Sequence, residues 1–202
     1  MTAAVLELGL LVSGLALAAF MLGHEAMLAS VWAGAASMNR LARFLEGTRL
    51  VGPGVVAVAT LLLVHAVLAV RRLPWRWTEA KAYARKAGSL LHWDTVSWAL
   101  QAATALVVGV LVAIHLWTAG GDLPVQAAKS AGRVARLAGT GFYDVLLSAA
   151  ALHAALGLER IATKWGPFRR TAARRLAWLV LAGLLLAGFG TLIAFDRLAG
   201  GR

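Results

Sequence analysis

Along the 202 residues, apolar positions gather into long runs separated by short polar segments, without the strict apolar/polar alternation of a half-buried strand. Five runs approach the roughly 20 residues that an α-helix needs to cross about 30 Å of hydrocarbon. They cover Val5 to Ser37, Leu50 to Val70, Thr95 to Ala119, Thr140 to Leu158 and Leu176 to Ala194. The pattern predicts an all-α membrane protein with five transmembrane helices in a single integral membrane domain, 1–202. The first run lacks a basic flank ahead of it and carries Glu7 instead, so it reads as a retained helix rather than a cleaved signal.

Composition strengthens this reading. The chain is 60% hydrophobic and 14% charged, with mean hydropathy +0.75, where soluble domains carry about 25% charged residues. Cysteine is absent, which excludes disulfides, thiolate metal sites, iron–sulfur clusters held by this chain and covalent c-type haem. Any metal must therefore be held by histidine or oxygen.

The net charge of +11 is uneven along the chain. The segment "RRLPWRWTEAKAYARK" after the second run holds six Lys/Arg, and "ERIATKWGPFRRTAARR" after the fourth holds six more; the first and third loops hold three each and the tail two. By the positive-inside rule the even loops face the cytoplasm, with the N-terminus inside. Charges placed at membrane edges, rather than on one soluble face, argue against nucleic-acid binding.

The histidines carry the candidate chemistry. Of His24, His65, His92, His115 and His153, four lie inside apolar runs, one in each of the first four. A single intramembrane histidine ordinarily serves as a hydrogen-bond partner between helices; one in each of four consecutive helices points further. His65 lies six residues before Arg71 and His153 six before Glu159, so at 1.5 Å rise per residue both sit about 9 Å inside the cytoplasmic boundary. His115 lies seven residues before Asp122, about 10 Å from the outer boundary, and His24 also falls in the outer half. The depths predict two pairs, His65 with His153 and His24 with His115. Imidazoles facing each other across a flat macrocycle are how a four-helix bundle holds a bis-His haem b, so the first four helices are expected to surround two haems. Zinc fits less well, because a closed site gathers four ligands together. A proton relay of spaced histidines would call for carboxylates at intermediate depth, and few are present. Gly23 and the alanines of "SAAALHAALG" leave room either for a macrocycle or for close helix contact.

The stretches "FMLGHEAMLASVWAG", "HAVLAVRRLP", "HWDTVSWALQAATALVVGVLVAIHLW" and "ALHAALGLERIATKWG", in this order and spacing, resemble the dihaem cytochrome b membrane-anchor subunit of the succinate:quinone and quinol:fumarate oxidoreductases. The resemblance implies a distal haem on His24 and His115 and a proximal haem on His65 and His153. It places Trp98 and Lys164 at proximal-haem propionates, and Arg71 and His92 lie at the same level. His92 reads as interfacial rather than axial. It further implies menaquinone as substrate, a flavoprotein subunit and an iron–sulfur subunit docked on the basic cytoplasmic loops, a bacterial cytoplasmic membrane and a dimer of heterotrimers. The glutamate that takes the quinol proton in the family corresponds to Glu46 in "RFLEGTR". Glu25, beside His24, has no counterpart in the family pattern and is the alternative. One residue along a helix is a rotation of about 100°, so Glu25 cannot share the direction of His24.

Two other readings remain at the level of sequence. One is the cytochrome b anchor of a different quinone-linked enzyme, such as a hydrogenase or formate dehydrogenase. The other is a non-haem, proton-coupled membrane protein whose histidines serve packing.

Overall fold

The computed structural model describes residues 2–49, 51–72, 78, 81, 85, 93–166 and 168–200. Among these no strand occurs, and five helices are long and apolar enough to span a membrane. In chain order the helices are α1 (Ala3–Ala29), α2 (Ala35–Gly47), α3 (Val51–Val70), α4 (Trp93–Gly120), α5 (Ala127–Leu137), α6 (Phe142–Trp165) and α7 (Arg170–Leu198). The chain is a multi-pass membrane protein: α1, α3, α4, α6 and α7 are the spans, and α2 and α5 are shorter, amphipathic helices between them.

The first span ends sooner than hydropathy suggests. α1 passes through a 3-10 turn at Ser30–Ala33, and the chain breaks at Gly34, whose φ of 98° a residue with a Cβ rarely adopts. Ala35 to Ser37 therefore open α2 rather than close α1. The last two spans begin or end beyond their apolar runs, since α6 continues through Glu159 to Trp165 and α7 starts at Arg170. These polar turns stay helical because they pair with each other. Glu159, only 8% exposed, accepts hydrogen bonds from Trp93 Nε1 (2.9 Å) and Arg174 Nε (3.1 Å), and the Arg174 guanidinium lies 4.8 Å from the Trp93 ring centre. A buried carboxylate needs such partners, and each charged hydrogen bond contributes about 1.5–3 kcal/mol. The network ties α4, α6 and α7 together at the end that carries the basic loops.

Packing neighbours define a ring of four helices: α1 lies against α3, α3 against α4, α4 against α6, and α6 against α1. The backbones of α1 and α4, and of α3 and α6, are not among the closely packed pairs, so these two pairs form the diagonals. α7 packs outside the ring on α6 and α1. The alanines around His153 serve that outer contact: Ala151 and Ala155 bury against Ala177, Leu181 and Leu184 of α7. Small residues let the two backbones approach, since hydrocarbon offers no hydrophobic drive to join helices.

Gly188 is a tight point of this contact, because a Cβ there would collide with the Leu147 side chain. Gly188→Val is expected to lower the thermal unfolding temperature of the purified protein, with overpacking costing about 1–3 kcal/mol. Combining it with Leu147→Ala should recover part of the loss; a single variant as stable as wild type would show that α7 can shift freely.

At the opposite end from the basic loops, a second core joins Val31, Met38, Ala127, Ala131, Val134 and Phe195. It seats α2 and α5 across the bundle. Asn39 Oδ1 accepts from the Ala127 N–H (2.8 Å), satisfying a donor at the start of α5, and Glu46 Oε1 accepts from the Val125 N–H (2.7 Å).

Candidate haem-binding histidine pairs

Each of the four intramembrane histidines sits on a different helix of the ring, and each meets its partner across a diagonal. His24 of α1 faces His115 of α4 with ring centres 6.1 Å apart and planes at 70°. His65 of α3 faces His153 of α6 at 6.4 Å and 90°. Among the described residues, no group of three or more His, Asp or Glu side chains gathers as a metal site; the imidazoles meet in twos.

That spacing suits a shared iron. A metal–imidazole bond is about 2 Å, and from nitrogen to ring centre is roughly 1 Å more, so two axial imidazoles place their centres about 6 Å apart. Interplanar angles of 70° and 90° are no obstacle, because two imidazoles that held one metal ion could take any angle about the line joining them.

The surroundings of the pairs differ. His153 Nδ1 lies 3.1 Å from the Gln101 carbonyl, which can only accept, and 3.4 Å from Thr104 Oγ1. His65 Nδ1 lies 2.8 Å from the Oγ of Ser13, a residue only 3% exposed. In the other pair, the ring of His24 stacks on Phe20 at 5.7 Å, one turn earlier on α1, and His115 meets the Tyr143 ring edge-on at 6.0 Å. His115 Nδ1 is buried with no hydrogen-bond partner among the described residues. An orphaned imidazole nitrogen in an apolar bundle is costly and signals a missing acceptor or ligand.

The remaining candidates fall in separate places. Glu25 turns away from the His24 pair towards α7 and approaches Thr191, as the 100° rotation requires; neither Glu25 Oε1 nor Thr191 Oγ1 completes a hydrogen bond. Glu46 is half-buried at the end of α2, anchored to the segment that leads into α5. Lys164 Nζ binds Glu7 Oε2 at 2.6 Å, and Arg72 Nη2 binds Glu7 Oε1 at 2.9 Å, so Glu7 already partners the lysine that the resemblance places at a propionate. Arg71 is exposed just past the end of α3, and Trp98 is half-buried on α4. His92 lies outside the described residues.

Several neighbours of the pairs carried no sequence signal. Ser13, Gln101 and Thr104 are ordinary residues in apolar runs, and only the crossing of helices brings them to a histidine. Arg133 of α5 was one loop base among three. It is held by Asp122 and donates to Ser130 Oγ (3.1 Å), which keeps a cation in the neighbourhood of His115 and Tyr143. Placing it needed the amphipathic period of Ala127, Ala131 and Val134, which fixes the buried face of α5.

A multi-pass helical bundle with imidazoles paired across both diagonals is the class of protein defined by these features. Over 92% of its length the chain is similar to proteins named fumarate reductase cytochrome b subunit: it is 28% identical to those of two Helicobacter pylori strains and 27% identical to that of Wolinella succinogenes. It spans 77% of the Helicobacter proteins and 78% of the Wolinella protein. The resemblance to a cytochrome b anchor of this family, carried by the histidine-bearing motifs, is thus borne out by curated relatives. No family model matches the chain.

Proposed function

We propose that the chain is the membrane-anchor cytochrome b subunit of a quinol:fumarate reductase or succinate:quinone oxidoreductase, its single membrane domain holding two haems b. The observation that carries this reading is the pairing of His24 with His115 and of His65 with His153 across the two bundle diagonals. His24 and His115 would ligate one iron, His65 and His153 the other. When bound, the haems supply one-electron carriers between quinol and an iron–sulfur partner.

The chain's own residues bind and handle protons around that relay. Oxidising a quinol releases two protons, and Glu46 is the acceptor this reading assigns. Its Oε1 is used by the Val125 N–H, which orients the carboxylate and leaves the second oxygen for a quinol hydroxyl. Glu25 is the alternative acceptor, but it points at α7 rather than at the histidines. Arg133 offers a cation to anionic groups at the same end. At the other end Trp98, Arg71 and His92 remain candidates beside the inner propionates, and Lys164 would have to divide itself between Glu7 and that role.

The basic loops would face the cytoplasm of a bacterium and receive flavoprotein and iron–sulfur subunits, with menaquinol as electron donor and the complex a dimer of heterotrimers. The similarity to named fumarate reductase subunits favours this partner set over that of a hydrogenase or formate dehydrogenase.

The test is a dithionite-reduced minus oxidised optical spectrum of the purified protein together with a haem count. A b-type α-band and two haems per chain are expected; absence of the band would end the reading.

A further inference from the structure

Ser13 holds one of the four histidines in a defined protonation form. Its hydroxyl has one proton, and Ser13 Oγ lies 2.6 Å from the Gly9 carbonyl, the i−4 acceptor on its own helix. That carbonyl can only accept, so the proton is committed to it. Towards His65 Nδ1, at 2.8 Å, the same oxygen must then act as acceptor, and Nδ1 must carry the hydrogen. The lone pair is left on Nε2. The diagonal partner His153 reaches the same state by a different route, because the Gln101 carbonyl also accepts from Nδ1. Nothing comparable is found for His115, whose Nδ1 has no partner among the described residues.

From this geometry we infer that Ser13 is a positioning residue for the His65 centre: its accepted hydrogen bond fixes Nε2 as the ligating nitrogen and strengthens the imidazole as an electron donor. The inference rests on the haem reading above. An acceptor on the distal N–H of a ligating imidazole raises its basicity, which favours the ferric state and lowers the reduction potential. Ser13 thereby tunes one of the two centres and leaves the other alone, since it touches neither His24 nor His115.

The experiment is an optical redox titration with haem count on the purified wild-type protein and on Ser13→Ala, Ser13→Thr and His65→Ala. Threonine keeps the hydroxyl and can make the same i−4 bond. Ser13→Ala is expected to raise the midpoint of a single haem, the one missing from His65→Ala, by about a tenfold change in its reduction equilibrium, or roughly 59 mV. Loss of that same haem alone would serve equally, provided that Ser13→Thr restores the wild-type behaviour. Unchanged midpoints with both haems present, equal shifts in both haems, or a threonine variant that behaves like alanine would each overturn the role of Ser13. A wild-type protein without haem would instead defeat the function proposed above, so the two failures are distinguishable.

Discussion

His65→Ala is expected to yield a protein with one haem b in place of two, and the haem that remains is the one between His24 and His115. The two pairs share no helix. His24 and His115 come from α1 and α4, whereas His65 and His153 come from α3 and α6, so loss of one imidazole leaves the other diagonal intact. On the proposed reading, removing His65 would take one of two ligands from that iron, and it also frees Ser13 Oγ from its 2.8 Å contact. Electron flow through the chain should fall by at least roughly 10–100-fold, the range seen when even supporting groups of a metal site are removed. Haem content, the reduced-minus-oxidised spectrum and quinol-dependent fumarate reduction by the assembled complex check this. Two haems in His65→Ala, or loss of the other haem, would show that the pairing across the diagonals is wrong.

Glu46→Gln is expected to lower quinol oxidation by about 100- to 10,000-fold, the usual worth of a general base, with both haems retained. Glutamine is the informative replacement. Its carbonyl oxygen can still accept from the Val125 N–H, so the link between α2 and the segment before α5 survives while the negative charge and the basicity of the carboxylate are lost. Glu46→Ala would break that link as well and mix a structural effect with a chemical one. Turnover by the glutamine variant at the wild-type rate would move the proton acceptor to Glu25, for which Glu25→Gln is the matching measurement.

Much of this arrangement was legible along the chain. The five spans follow from apolar length alone, because hydrocarbon accepts no unsatisfied backbone and so demands about 20 apolar residues per crossing. The histidine pairs follow from a fixed rise per residue and alternating helix direction, two constraints that survive any detail of packing. The ends of helices were less legible. Hydropathy marks what lies in lipid, while a helix runs on as long as its polar side chains find partners, as Glu159 and Arg174 do for each other. Conversely, Val5 to Ser37 read as one run because Gly34 is only one residue in a hydrophobic average, yet its backbone turns the chain. α2 and α5 carry a weak signal along the chain, because their buried faces, Met38 with Ala42 and Ala127 with Ala131 and Val134, recur at three- and four-residue spacing over only three to four turns.

That this is a helical membrane protein, how many times apolar length permits it to cross, and which four histidines share two depths all depend on distance along one chain, and so can be read from residue order. Which helices are neighbours and which are diagonals, and hence that each histidine meets its partner across the bundle, follows from packing in three dimensions. That packing also turns Glu25 towards Thr191, gives Ala151 and Ala155 to α7, and brings Ser13 and the Gln101 carbonyl to imidazoles 52 residues away. Such contacts depend on how helix surfaces mesh, and helix rotation and crossing are set by many weak packing terms acting together rather than by any local pattern.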